Sequence, residues 1–225
     1  DYVNPANRDV QEEMEKVATE HLGKIGGLVN TYVYKSVDFT KGDFPVEASV
    51  VIPVYNREQT IADAVKSAME QETSFSYNVI VVDNYSTDRT GMIIESLRRD
   101  VPNGGEKLVH LIPDVQGLGI GGCWNEAINS DLCGRFAVQL DGDDLYSSKN
   151  ALQRIVDEFY RQKCAMVVGS YRMCNFALET LPPGLISHTE WTEENGPNNA
   201  LRINGLGAPR ALLTPVARRI RFPDV

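Results

Sequence analysis

The chain has 225 residues, 42% of them apolar and 24% charged, with a formal net charge of −9 at pH 7. That length suits one sizeable α/β domain with an appendage, since domains commonly run to roughly 100–200 residues, and the ordinary composition gives a disordered or fibrous structure little support. The acidic balance argues against a nucleic-acid groove, which needs clustered Lys and Arg to neutralise phosphates.

A phosphate bound locally would instead need a metal or backbone amides. Cys123, Cys133, Cys164 and Cys174 form no C-x-x-C pair and are too sparse for a disulfide framework, so reduced, partly buried thiols are expected. No stretch approaches the roughly 18 consecutive apolar residues of a membrane span. The polar, acidic start does not read as a signal peptide, so the expectation is a cytoplasmic location, one that includes a peripheral position at a membrane.

Along the chain, Met14, Val17, Ala18, His21, Leu22 and Ile25 recur at helical spacing and predict an amphipathic helix from Val10 to about Tyr34, its stripe packed on the domain or on a partner chain. The segment Lys41-Gly42-Asp43-Phe44-Pro45 breaks that pattern. The run Ser49–Val54 then reads as a strand buried on both faces. Asn56 is placed to cap the helix that follows, with Gln59 three residues on and Ile61, Ala64, Val65, Ala68 and Met69 along it.

The unit repeats. Val79–Asp83 predicts a second strand, followed by the polar turn Asn84–Asp88 and a helix with Met92, Ile93, Ile94 and Leu97. Lys107 to Ile112 predicts a third strand, followed by a glycine-rich stretch and a helix around Trp124 to Ile128, and Phe136–Leu140 predicts a fourth, ending in Asp141-Gly142-Asp143-Asp144. A helix through Leu152, Ile155, Val156 and Phe159 and a strand over Ala165–Gly169 follow, after which the pattern weakens and Leu181 to Asn204 reads as a long polar segment. Strands alternating with helices imply a mainly parallel, doubly wound sheet, in which ligands bind beyond the carboxyl ends of the strands. The loops after Val54, Val82, Ile112 and Leu140 therefore converge on one crevice.

Two clusters carry chemistry. Asp141, Asp143 and Asp144 place carboxylates around a small residue after an apolar strand, a set that suits Mg2+ or Mn2+ shared with substrate phosphates; as an isolated tetrapeptide it also suits a turn that caps a helix. Gly117–Gly122 spells G-x-G-x-x-G, yet Pro113–Gln116 separates it from the strand, which weakens a dinucleotide reading. His21 and His110 read as packing residues, and His188, near Trp191, as an ordinary loop residue.

The order VVIPVYN (50–56), VIVVDNYSTD (79–88), a glycine loop ending in WNEAI (124–128), and QLDGDD (139–144) resembles the family 2 glycosyltransferases over roughly Val46 to Leu145. The resemblance implies a GT-A nucleotide-diphospho-sugar transferase fold. With the N-terminal helical extension over 1–44 read from periodicity, it implies a nucleotide-sugar-binding region over 45–145 and an acceptor-side region over 146–225, expected to be incomplete at its C-terminus.

By the same resemblance Pro53, Tyr55 and Asn56 line the nucleotide base, Tyr55 by stacking, and Asp83 accepts a hydrogen bond from it. Asn125 contacts the donor, although Trp124 stands where the family often has an arginine. Asp141 reaches the donor ribose or sugar and shares the metal with Asp143, with Asp144 as a neighbouring candidate. The implied reaction is metal-dependent, inverting transfer of a sugar from a UDP, GDP or dTDP donor, with Mn2+ or Mg2+, to an acceptor hydroxyl on a saccharide, a lipid-linked saccharide or a small molecule. The family's acidic base normally follows segments like Gly205–Arg210 and Arg221-Phe222-Pro223, and is expected beyond Val225. Alternatives left open are a nucleotidyltransferase, a dinucleotide-fold oxidoreductase and a catalytically incomplete nucleotide-sugar-binding protein.

Overall fold

The computed structural model describes residues 5–29, 37–186 and 209–224. The chain divides into two compact units, one of residues 1–36 with 168–210 and a larger one of residues 37–167 with 211–225.

In the larger unit, β1 (Ala48–Val54), β2 (Tyr77–Asp83), β3 (Leu108–Leu111) and β4 (Phe136–Gln139) lie parallel in the order β3-β2-β1-β4. The sheet continues through β8 (Arg210–Leu213), antiparallel to β4, to β5 (Met166–Val168). Between the parallel strands run α2 (Ile61–Met69), α3 (Thr90–Asp100), the single turn α4 (Gly104–Lys107) and α5 (Ile120–Asn129). Beyond β4 come α6 (Ala151–Gln162) and, after β8, α7 (Thr214–Ile220).

Strand alternation divides the core into two layers, because successive side chains point to opposite faces. Val50, Ile52, Val79 and Val81 pack with Ile61 and Val65 of α2, Ile94 of α3 and Phe159 of α6. Val51, Ile80, Val82 and Ala137 pack with Trp124 and Ile128 of α5 and Ala217 of α7. The predicted doubly wound sheet is therefore present, with β8 as its antiparallel member.

The smaller unit contains α1 (Arg8–Ile25) and a hairpin of β6 (Tyr171–Cys174) and β7 (Thr180–Ile186). Three expectations need correction. The first helix stops at Ile25, where Gly26 takes a left-handed conformation at φ 72° and closes the end. Its inward stripe is Gln11, Glu15, Ala18 and Leu22, so of the predicted stripe Ala18 and Leu22 are half-buried, while Met14, Val17, His21 and Ile25 stay exposed. The second helix starts at Ile61 rather than after Asn56, because Asn56 has φ 51° and uses its side chain elsewhere. His188, Trp191 and Gly205–Ala208 lie outside the described residues. All four cysteines are free thiols.

Candidate functional site

Register brings the strand ends to one level. Val54 pairs with Asp83, and Val51 pairs with Gln139, so two residues further on Asp141 falls beside Pro53. The loops leaving β1 and β2 are joined by a chain of hydrogen bonds. Asn56 N–H donates to Ser86 Oγ at 2.9 Å, while Asn56 Oδ1 accepts from the backbone of Thr87 at 2.7 Å and Asp88 at 3.3 Å. Arg57 N–H donates to Thr90 Oγ1 at 2.8 Å and Glu58 N–H to Asp88 Oδ2 at 3.1 Å. The third loop is tied in by Thr60, whose hydroxyl donates to the Gly142 carbonyl at 2.7 Å.

These ends enclose a cleft of about 410 Å³, within the roughly 300–1,000 Å³ common for small-molecule sites. Four predicted residues line it, Pro53, Tyr55, Asp141 and Asp143. Tyr55 is 54% exposed, which leaves its ring free to stack. Asp141 Oδ1 accepts from Gln139 Nε2 at 2.8 Å. Asp144 donates its backbone N–H to the Asp141 carbonyl, and its carboxyl pKa is raised by desolvation and then by the charges of Asp141 and Asp143.

The other predicted residues do not line the cleft. Asp83 is 4% exposed; its Oδ1 accepts from Ser86 N–H at 2.8 Å and its Oδ2 faces His110 Nε2 at 3.4 Å. Burial works to raise the Asp83 pKa, but the bonds from His110 and Ser86 outweigh it and hold the carboxyl below its ordinary value. Asn56 joins two loops, as described. Asn125 is engaged with the chain's end: it donates to Phe222 O at 2.8 Å and Asp224 Oδ1 at 2.7 Å, and accepts from Phe222 N–H at 2.9 Å.

Three cleft residues were missed from the sequence. Trp124 supplies nothing basic, being buried against Phe222 at 5.5 Å between rings, whereas the cleft is lined by Arg57. Its guanidinium lies 3.6 Å from Asp143, a half-exposed pair, and it is the one cation among the described residues that line the cleft. Asn84 donates to the Leu118 carbonyl, while its Oδ1 is buried without a partner. Cys123 lines the inner wall, its thiol pKa pushed up to about 11 by burial. Adjacency was the available signal, since Arg57 follows Asn56 and Asn84 follows Asp83.

Leu118, Gly119 and Ile120 line the cleft at the start of α5. The glycines there serve packing. A Cβ on Gly121 would lie 1.9 Å from the Pro223 carbonyl oxygen, and one on Gly122 would lie 2.9 Å from Leu118.

Residues 49–212 match the family described as Glycosyl transferase family 2. The chain belongs to that family. It is 27% identical over 127 residues to the UDP-Glc:alpha-D-GlcNAc-diphosphoundecaprenol beta-1,3-glucosyltransferase WfgD of Escherichia coli, covering 56% of this chain and 46% of the relative. It is 31% identical over 114 residues to the minor teichoic acid biosynthesis protein GgaA of Bacillus subtilis, covering 49% and 24%. Among solved structures, S. aureus TarS 1-349 in complex with UDP superposes with a TM-score of 0.59 at 22% identity, covering 79% of this chain and 50% of that one. The mannosyltransferase PcManGT from Pyrobaculum calidifontis, in complex with GDP-Man and Mn2+, superposes at 0.57 and 16%, covering 97% and 59%. These likenesses establish the GT-A-type α/β fold. The chain spans about half the length, or less, of the relatives it matches.

Membership sets aside the dinucleotide reading of Gly117–Gly122. Among the described residues no group of three or more His, Cys, Asp and Glu side chains could hold a metal on its own, and no helix is long and apolar enough to cross a membrane.

Proposed function

We propose that this chain carries the donor site of a metal-dependent, inverting glycosyltransferase that moves a sugar from a nucleotide diphosphate sugar to an acceptor hydroxyl. The observation that carries the proposal is the meeting, in one cleft, of an exposed aromatic ring, an amide, an arginine and two aspartates: Tyr55, Asn84, Arg57, Asp141 and Asp143.

In this reading the base stacks on Tyr55, where an aromatic face contributes roughly 1–3 kcal/mol, and an N–H of the base donates to Asn84 Oδ1. Asp83 acts by holding the Asn84 turn. Asp141 reaches the ribose or sugar.

Asp141 and Asp143 suit Mn2+ or Mg2+, because these ions commonly take only one or two carboxylates and complete their shell with phosphate and water. Desolvation is the first cause of the raised Asp144 pKa and the charges of Asp141 and Asp143 add to it; such an ion offsets that negative charge. When bound, the ion supplies Lewis-acid stabilisation of the departing diphosphate. Arg57 leaves Asp143 for the diphosphate and adds a fixed positive charge at the same place. Attack by the acceptor oxygen inverts the anomeric carbon, and its proton goes to a carboxylate base, placed by family resemblance after the Arg221-Phe222-Pro223 segment.

The UDP, UDP-GlcNAc and GDP-Man complexes of structural neighbours favour UDP or GDP donors over dTDP. WfgD and the dolichyl-phosphate beta-glucosyltransferase of Dictyostelium discoideum act, by their names, on lipid phosphates. They favour a lipid-linked acceptor met at a membrane surface from the cytoplasm.

Calorimetric titration with UDP, GDP, dTDP and NAD, each with and without Mn2+, tests the proposal. Metal-dependent binding of one nucleoside diphosphate, lost in Asp143→Ala, is expected. Metal-free binding of NAD in preference to the diphosphates would refute it.

A further inference from the structure

His110, on the edge strand β3, has its imidazole buried between two carboxylates. Nδ1 lies 2.8 Å from Glu95 Oε1 of α3, and Nε2 lies 3.4 Å from Asp83 Oδ2 at the end of β2. The His110 and Asp83 side chains are 7% and 6% exposed, whereas Glu95 is half exposed. A neutral imidazole has a single N–H and satisfies one carboxylate, leaving a lone pair turned toward the other; imidazolium donates to both.

The surrounding charges are few. Arg98, on α3, lies 3.3 Å from Glu95 and shares it with His110. Asp88, in the β2–α3 turn, and the Cys123 thiol, on α5, feel the charge of Asp83 as a minor contribution. The Gly91 backbone closes the remaining side, where a Cβ would lie 3.2 Å from Asp83 Oδ2 and 3.7 Å from His110 Cε1. Among the described residues, His110 is the one base paired with Asp83.

Asp83 passes this contact toward the cleft. Its Oδ1 accepts from Ser86 N–H at 2.8 Å, and Ser86 Oγ accepts from Asn56 N–H at 2.9 Å. Between them sits Asn84, which lines the cleft and whose Oδ1 is buried without a partner.

We propose that His110 is a positioning residue for the nucleotide: in its charged form it fixes Asp83, and through Asp83 the Asn84–Ser86 turn that lines the cleft, so that donor affinity follows the charge on this imidazole. The inference rests on the donor-cleft reading. The bond to Asp83 raises the His110 pKa, burial opposes it, and the bond to Glu95 adds to it. Asp83 and Glu95 are held below their ordinary values. The latch is therefore complete above the lowered carboxylate pKa values and below the raised imidazole pKa. It is lost as pH rises through the His110 pKa, because the second carboxylate then loses its donor. In strong acid it is lost again, as the carboxylates take up protons.

The test uses the isotopically labelled 225-residue chain, titrated by NMR from pH 5.5 to 8.5 without ligand. UDP-glucose and GDP-mannose affinities, with Mn2+, are measured over the same range. These donors have no diphosphate proton titrating in that window. The backbone amides of Asn56, Asn84 and Ser86 should shift with the midpoint of the His110 imidazole, and donor affinity should fall on the order of fivefold across that midpoint.

In His110→Gln, which donates an amide N–H at every pH, the amide shifts and the slope in affinity should both vanish. Glu95→Gln should move both midpoints to lower pH. Amides that ignore the imidazole, or an unchanged affinity profile in both variants, would overturn the latch. Amides that follow His110 while neither donor binds at any pH would support the latch and defeat the donor-cleft reading.

Discussion

Asn84 and Arg57 give the cleft its polar character, and each makes a separate demand on a ligand. A buried acceptor without a partner costs about 1–3 kcal/mol, and Asn84 Oδ1 is in that state. A base N–H that reaches it recovers much of that cost, so Asn84→Ala should weaken nucleotide diphosphate binding about tenfold, roughly 1.4 kcal/mol, with little loss of thermal stability. Arg57 is half exposed beside Asp143, and such pairs contribute only about 0–1 kcal/mol to folding. Arg57→Gln should therefore leave the melting temperature nearly unchanged while weakening diphosphate binding, and the deficit should shrink as salt screens the charge. Calorimetry at two ionic strengths measures both effects; a large fall in stability would assign the two residues to the scaffold.

The sequence pointed to Asp83 where the structure puts Asn84 in the cleft, and the difference has a definite source. Every residue of β2 is buried, so its apolar run does not show which face its last residue takes. The alternation assigns Val79 and Val81 to the layer with α3 and carries Asp83 the same way, toward His110 and Glu95. Asp141 and Asp143 line the cleft; as an isolated tetrapeptide they suit a turn as well, and only the neighbouring motifs pointed to a site.

At the scale of elements, the parallel strands could be read because each is a continuous apolar run, and β1 and β2 extend only one or two residues beyond the expected starts. The start of α2 could not. Asn56 has the chemistry of a helix cap, but its side chain serves the neighbouring β2–α3 loop, 31 and 32 residues along the chain. The hairpin β6–β7 and the strand β8 were missed because their residues lack strong alternation; Tyr171–Cys174 is exposed throughout.

The glycine stretch was weighed as a phosphate loop, and its spacing serves packing instead. Gly121 lies under the Phe222–Asp224 segment, which Asn125 holds by three hydrogen bonds. A Cβ there would force that segment off α5, at about 1–3 kcal/mol for a forced rearrangement. Gly121→Ala should lower the urea midpoint and change the fluorescence of Trp124, whose ring lies against Phe222. An unchanged midpoint would show that the segment is not docked as described.

For the molecule as a whole, three strand ends of one sheet meet in the proposed nucleotide site, on a chain of net charge −9. An acidic protein can hold a diphosphate only where positive charge is supplied locally, which the proposed function assigns to Arg57 and to a cation held by Asp141 and Asp143. A crystal grown with UDP-glucose or GDP-mannose and Mn2+ tests this most directly. The account predicts the base on Tyr55, Mn2+ anomalous density between Asp143 and the diphosphate, and Arg57 on the phosphates. A nucleotide bound in the cleft with both aspartates free of metal and turned from the diphosphate would contradict it.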